Sequence, residues 1–289
     1  MIKDWIKILR PVHWVKNLFV LAPMLFARQA FDSNTWLVSL AGAAIFCLLS
    51  SGVYAFNDVV DAERDRVHPL KSKRPVASAR VSKTGALVVA GLLDTLAVGG
   101  AYFLDIEFGV VCSTYLVLNI FYTLLLKRLA FVDVMTIAAG FVLRVVGGAV
   151  VIDVVFSSWL VVCTFFLACL LGFGKRRHEL HGQQDNVNIT RPSLGGYSIP
   201  SLKWAEWFAS AITIIAYVSY TFAPGTVSKF GGYQLLLTIP FPMFGIIRYL
   251  KLVESRRDLA PTEALVTDIA SVSNLALWVG TVIWSLYFY

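Results

Sequence analysis

The stretch WLVSLAGAAIFCLLSSGVYAF, Trp36 to Phe56, runs directly into NDVVDAERD, Asn57 to Asp65, and that junction decides how the chain folds. About 20 mainly apolar residues in succession are what a helix needs to cross the hydrocarbon core of a bilayer. An acidic segment at the end of such a run sets polar chemistry at a membrane face. Working outward, comparable runs occupy 14–30, 84–104, 108–126, 131–151, 157–174, 204–223, 233–250 and 270–289. Together they predict an all-α polytopic membrane protein of about nine transmembrane helices. Composition agrees, because 57% of the 289 residues are hydrophobic and only 15% are charged, an apolar share above that of soluble domains. No strong repeat and no Pro/Gly-rich linker divides the chain, so residues 1–289 read as one transmembrane domain.

The net charge of +7 does not point to nucleic acid, since the basic residues are spread over short loops between apolar runs. They report topology instead. Of the 25 Lys and Arg residues, 22 fall on one set of alternate sides; only Arg28 and Lys229 lie opposite, and Arg144 sits inside a run. The positive-inside rule puts the richer side in the cytoplasm, together with the two long loops, 57–83 and 175–203. Lys3, Asp4, Lys7 and Arg10 interrupt the first residues, so no cleavable signal pattern is expected. Ile2, Trp5, Ile6 and Leu9 fall near one helical face before Pro11 and suit a short interfacial helix. Cys47, Cys112, Cys163 and Cys169 lie within apolar runs without metal-ligand spacing, which makes them packing residues.

At 100° per residue, Asp58, Asp61 and Asp65 fall within an arc of about 60° on a helix continuing the second run, with Asn57 beside them. Three carboxylates on one stripe repel each other unless a cation intervenes. Oxygen-only donors suit Mg²⁺, which bridges one or two carboxylates to substrate phosphates. The plainer reading is a solvated helix whose acids pair with Arg64 and Arg66. Next comes His68-Pro69-Leu70-Lys71-Ser72-Lys73-Arg74-Pro75, whose cations could grip phosphate oxygens or touch anionic lipid. For Lys73 the lipid contact is the preferred reading.

Asn57 to Asp65 resembles the N-D-x-x-D-x-x-x-D motif of the UbiA superfamily of intramembrane prenyltransferases. That resemblance implies a helical bundle around a central cavity open to the cytoplasm, with Mg²⁺-bound diphosphate at Asn57, Asp58, Asp61 and Asp65. Typical members carry a second acidic motif after the sixth span. Here the corresponding place reads Gly174-Lys175-Arg176-Arg177-His178-Glu179-Leu180, where one acid remains and cations have entered. Such a change favours substrates richer in phosphate than one allyl diphosphate. It resembles the branch of decaprenyl-phosphate phosphoribosyltransferases. Further likeness lies in Arg10-Pro11-x-x-Trp14-x-Lys16-Asn17, in Asp65-Arg66-x-His68-Pro69-x-Lys71-x-x-Arg74-Pro75, in Leu143-Arg144 and in Arg191-x-x-Leu194-x-x-Tyr197. The branch implies phosphoribosyl diphosphate (PRPP) and a polyprenyl phosphate as substrates, in the inner membrane of a bacterium, for arabinose-donor and cell-envelope glycan synthesis.

A ribose phosphate, a diphosphate and a lipid phosphate exceed what one Mg²⁺ site neutralises. The candidate cations are Lys16, Lys71, Arg74, Lys127, Arg144, Lys175 and Arg191, with Asn17 in the same motif as Lys16. Arg144 costs roughly 2.5–3.5 kcal/mol inside a span unless it faces protein or water, and snorkelling to the interface is its other solution. Glu179, one turn after Lys175, fits either a partner for that amine or a contact to a ribose hydroxyl. Tyr197 fits a phosphate ligand or an interfacial anchor. The sequon Asn188-Ile189-Thr190 is expected on the cytoplasmic side and is set aside. Two rival functions share these residues: prenyl transfer to an aromatic or quinone precursor, and transport along a path through Arg144 and the acids.

Overall fold

Five of the long helices begin at an acidic or hydroxyl residue whose side chain accepts from the backbone N–H three residues on. Asp32 takes Thr35 (2.8 Å), Ser82 takes Gly85 (3.1 Å), Asp105 takes Phe108 (2.7 Å), Ser198 takes Ser201 (3.2 Å) and Asp268 takes Ser271 (2.9 Å). Each such cap satisfies an orphan donor and contributes about 1 kcal/mol. The computed structural model describes residues 2–69, 71–184, 192–255 and 261–288, and among these there is no strand. The helices are α1 (Ile2–Leu9), α2 (Ala22–Phe26), α3 (Ser33–Val60), α4 (Ala62–Arg66), α5 (Lys83–Leu104), α6 (Ile106–Leu124), α7 (Val132–Val150), α8 (Ser158–Gln184), α9 (Ile199–Phe222), α10 (Pro224–Phe230), α11 (Pro240–Ser255), α12 (Pro261–Thr267) and α13 (Ile269–Tyr287).

Among the described residues, seven helices are long and apolar enough to cross a membrane, or eight if α9 and α10, bent by 53° at their junction, count as one broken span. Pro224 starts α10 at that bend. The first of the nine expected spans, 14–30, is different. It consists of a 3-10 helix, Pro11–Leu21, followed by the single turn-and-a-half of α2. Pro11 and Pro23 each lack a backbone donor, and Arg10 just before takes a left-handed φ of 50°, so the chain turns after α1 instead of entering one straight helix.

The chain forms two compact units that divide after Val155. In the first, the 3-10 helix, α3, α5, α6 and α7 meet in a core of Val20, Phe46, Leu49, Phe108, Cys112 and Tyr115, with Phe46 edge-on to Phe108 and Tyr115. Gly148 is required there, because a Cβ would lie 2.0 Å from the Val20 carbonyl oxygen. Small residues allow this approach, which drives helix association where lipid offers no hydrophobic gain. A second cluster, Ile8, Ala55, Ala62, Val76, Val81 and Ala86, seats α1 and the loop after α4. The face of α1 turned inward therefore carries Ile8 with Trp5, while Ile6, expected on the same face as Trp5, is exposed. In the second unit, α8 packs along α9, and α11 to α13 complete the bundle.

Candidate active site

The acidic segment does not remain one helix. α3 ends at Val60, Asp61 forms the joint, and α4 resumes at Ala62, although Asp61 N–H to Asn57 O (3.0 Å) and Asp65 N–H to Asp61 O (2.8 Å) keep the ladder going. The stripe splits into two pairs of oxygens. Asp58 and Asp65, both buried, meet the guanidinium of Arg74, whose Nη1 donates to Asp58 Oδ1 at 3.2 Å and to Asp65 Oδ2 at 2.6 Å. Arg10 donates to Asp58 as well. Asp61 and Asn57 meet Lys127, whose buried Nζ donates to Asp61 Oδ1 at 2.6 Å and to Asn57 Oδ1 at 3.2 Å. Arg64 stands 3.7 Å from Asp61. Among the described residues no three His, Cys, Asp or Glu side chains converge to hold a metal ion.

Each cation is placed by its own element. Val76 and Val81, buried against α1, α3 and α5, pin the loop that carries Arg74, and Arg66 Nε holds Ala77 O at 3.1 Å. Lys127 occupies a 3-10 turn, Leu126–Arg128, between α6 and α7. Lys71 begins another, Lys71–Lys73, and its backbone N–H donates to His68 Nδ1 at 3.3 Å. Burial, and next the Lys71 charge, hold the His68 imidazole below its ordinary pKa.

Arg144 is buried and does not snorkel. Its Nε donates to Asn17 Oδ1 (2.8 Å), Nη1 to the Gly140 carbonyl (2.9 Å) and Nη2 to the Tyr115 hydroxyl (2.7 Å). Asn17 in turn donates to Ser50 Oγ at 3.2 Å. This network satisfies a charge that would otherwise be costly within the bundle. Lys16, half-buried, precedes Asn17 on the 3-10 helix.

In the second unit Lys175 is exposed on α8, while Arg176 and Arg177 are buried. Glu179 accepts from Arg176 Nη1 at 3.0 Å. Arg177 pairs with Glu206 of α9 at 2.8 Å, both side chains buried. Tyr197 is buried just after the 3-10 turn Pro192–Gly196, unlike an anchor at a lipid surface. Gly174 gives the Tyr249 hydroxyl its room, since a Cβ would lie 2.0 Å from it. Arg191 and the sequon Asn188-Ile189-Thr190 lie outside the described residues.

Sequence reasoning passed over three of these groups as site residues. Arg10 was visible only as part of a motif, and its contact with Asp58 depends on the turn it makes. Arg177 and Glu206 could have been found from the acid that opens the run 204–223, because an ionisable group there needs a partner.

An all-helical integral membrane protein with carboxylates and cations interleaved at the end of a span is thus defined. The sequence pattern of the UbiA prenyltransferase family matches residues 17–275, and the chain belongs to that family. It is 27% identical to a decaprenyl-phosphate phosphoribosyltransferase of Mycolicibacterium smegmatis, over all of this chain and 94% of the relative. It is 29% identical to the protein of that name in Mycobacterium tuberculosis, over 96% of this chain and 92% of the relative. A UbiA homolog from Archaeoglobus fulgidus, solved bound to GPP and Mg²⁺, superposes with a TM-score of 0.74 at 16% identity, covering 98% of this chain and 99% of that one. At that identity the likeness speaks for the fold.

Proposed function

We propose that the chain transfers the 5-phosphoribosyl group of PRPP to a polyprenyl phosphate of decaprenyl type and releases diphosphate. The observation that carries this reading is the end-to-end likeness to the phosphoribosyltransferases, whose name describes that chemistry. The cations at Lys175, Arg176 and Arg177, in place of a second acidic motif, favour the same choice over prenyl transfer. The donor set of Asn57, Asp58, Asp61 and Asp65 is all oxygen and fits Mg²⁺ in kind, provided the cations now on those oxygens move away. Mg²⁺ bound there would polarise the diphosphate leaving group.

In the reaction the C1–O bond of the ribose breaks with its electron pair leaving on diphosphate, and an oxygen of the lipid phosphate forms the new bond to C1 with inversion. A phosphate monoester is already ionised near neutral pH, so no strong general base is needed. Arg74, Lys71 and Lys127 are assigned to phosphate oxygens, where a charge-assisted hydrogen bond is strong. Lys175, Arg191 and Tyr197 are assigned to substrate phosphate, Glu179 to the ordering of its cationic neighbours, and Arg144 with Asn17 to positioning the 3-10 helix that carries Lys16. The whole of 1–289 acts as one catalytic domain in the inner membrane, its acidic segment facing the cytoplasm, as the Lys and Arg distribution favours.

The test is to incubate the purified protein with PRPP, Mg²⁺ and decaprenyl phosphate, and in parallel with an allyl diphosphate and 4-hydroxybenzoate. Lipid-linked phosphoribose is the expected product. Consumption of the allyl diphosphate alone would replace this reading with prenyl transfer.

A further inference from the structure

The acid–cation geometry carries a consequence for how the site loads. Asp58, Asp61 and Asp65 are each engaged by a cation from a different part of the first unit: Arg10 before the 3-10 helix, Arg74 after α4 and Lys127 after α6. Three carboxylates against these three cations, with Arg64 a further 3.7 Å from Asp61, leave no excess negative charge to draw in a bare divalent ion. Two of those cations also sit in bridging positions. Arg74 Nη1 lies between Asp58 and Asp65 at 3.2 and 2.6 Å, and Lys127 Nζ lies between Asn57 and Asp61 at 3.2 and 2.6 Å. A nitrogen between two oxygens takes the place that an octahedral ion with ligands at about 2.0–2.1 Å would need.

We infer that Arg74 and Lys127 keep bare divalent metal out of the acidic segment, and that the metal enters only together with diphosphate, by exchange of partners. The diphosphate oxygens draw the guanidinium and the ammonium off the carboxylates while the freed carboxylates take the metal. Every charge stays paired throughout the exchange, which matters in a partly buried site where an unpaired charge is costly. A bare cation arriving alone has to displace Arg74 or Lys127 and leave it without a counter-ion. A metal–diphosphate complex is a net anion and supplies that counter-ion itself. This inference rests on the reading of Asn57 to Asp65 as a metal–diphosphate site, but not on which diphosphate ester is the substrate.

The full-length protein in detergent is titrated with Mn²⁺ alone, followed by electron paramagnetic resonance, and separately with radiolabelled inorganic diphosphate in the presence and absence of Mn²⁺. For the wild type, binding of Mn²⁺ alone is weak and diphosphate binding depends on the metal. Arg74→Ala and Lys127→Ala each move the two affinities in opposite directions, tightening bare Mn²⁺ and weakening diphosphate by about tenfold, the scale of one charge-assisted hydrogen bond. Lys73→Ala removes the same charge from an exposed neighbour and moves neither. Arg74→Gln serves where the alanine variant does not fold.

Tight binding of bare Mn²⁺ to the wild type overturns the inference without any variant. So does an unchanged Mn²⁺ affinity in both variants, or an equal shift in Lys73→Ala. Opposite shifts without transfer from PRPP would sink the phosphoribosyl reading alone; transfer from PRPP without the shifts would sink the exchange alone.

Discussion

At the scale of single residues, the pairing of Asp61 with Lys127 changes what an alanine substitution means. Removal of Asp61 leaves the buried Lys127 Nζ with Asn57 Oδ1, and removal of Lys127 leaves the half-buried Asp61 with Arg64 at 3.7 Å, so breaking this pair costs less than the about 3–5 kcal/mol of a fully buried one. Asp61→Ala and Lys127→Ala should each lower stability in detergent unfolding, while the double variant should lose clearly less than the sum. Strict additivity would remove the pair from the account. Lys175 is a different case, exposed on α8, so Lys175→Ala should leave expression intact and reduce kcat/KM for PRPP by about tenfold or more. Lys175→Asp should be worse. Wild-type kinetics in both would reduce the segment to a topological anchor. The identities of the acids and most of the cations were legible in the sequence, because residue type and spacing carry them.

At the scale of elements, the long apolar helices were legible because hydropathy is a local property and their capping residues sit at their starts. Asp268 shows how much a junction can hold. It caps α13 through Ser271 and also takes both Arg248 Nε (3.0 Å) and Nη2 (2.6 Å), and these hydrogen bonds, Arg248 first, hold its carboxyl well below the ordinary Asp pKa. A depressed folded-state pKa contributes stability above the unfolded value and loses it as pH falls through the folded one. Asp268→Asn should therefore melt earlier than wild type at pH 7, with the gap narrowing below about pH 4. A gap that is constant across pH would show that charge is not the cause. The 3-10 helix Pro11–Leu21 was not legible as such. Its sequence is apolar enough for a span, but two prolines and the close seat of Val20 on Gly148 decide its form.

At the scale of the whole molecule, the asymmetry of Lys and Arg favours a cytoplasmic face for the acidic segment, a proposal that can be checked directly. A cysteine placed by Ser72→Cys should react with permeant thiol reagents and stay hidden from an impermeant one on intact cells; labelling from outside would invert the assignment. Hydropathy and motif spacing along the chain were enough to establish an all-helical membrane protein and its family resemblance, since each is read within a window of a few turns. The tertiary structure alone decided which partner each cation meets. Arg10 reaches Asp58 across 48 residues, Lys127 reaches Asp61 across 66, and Arg144 reaches Asn17 across 127. No local pattern encodes such pairings. They arise because packing at Gly148, Val76 and Phe46 brings distant segments to one place, where buried charges must find partners or be excluded.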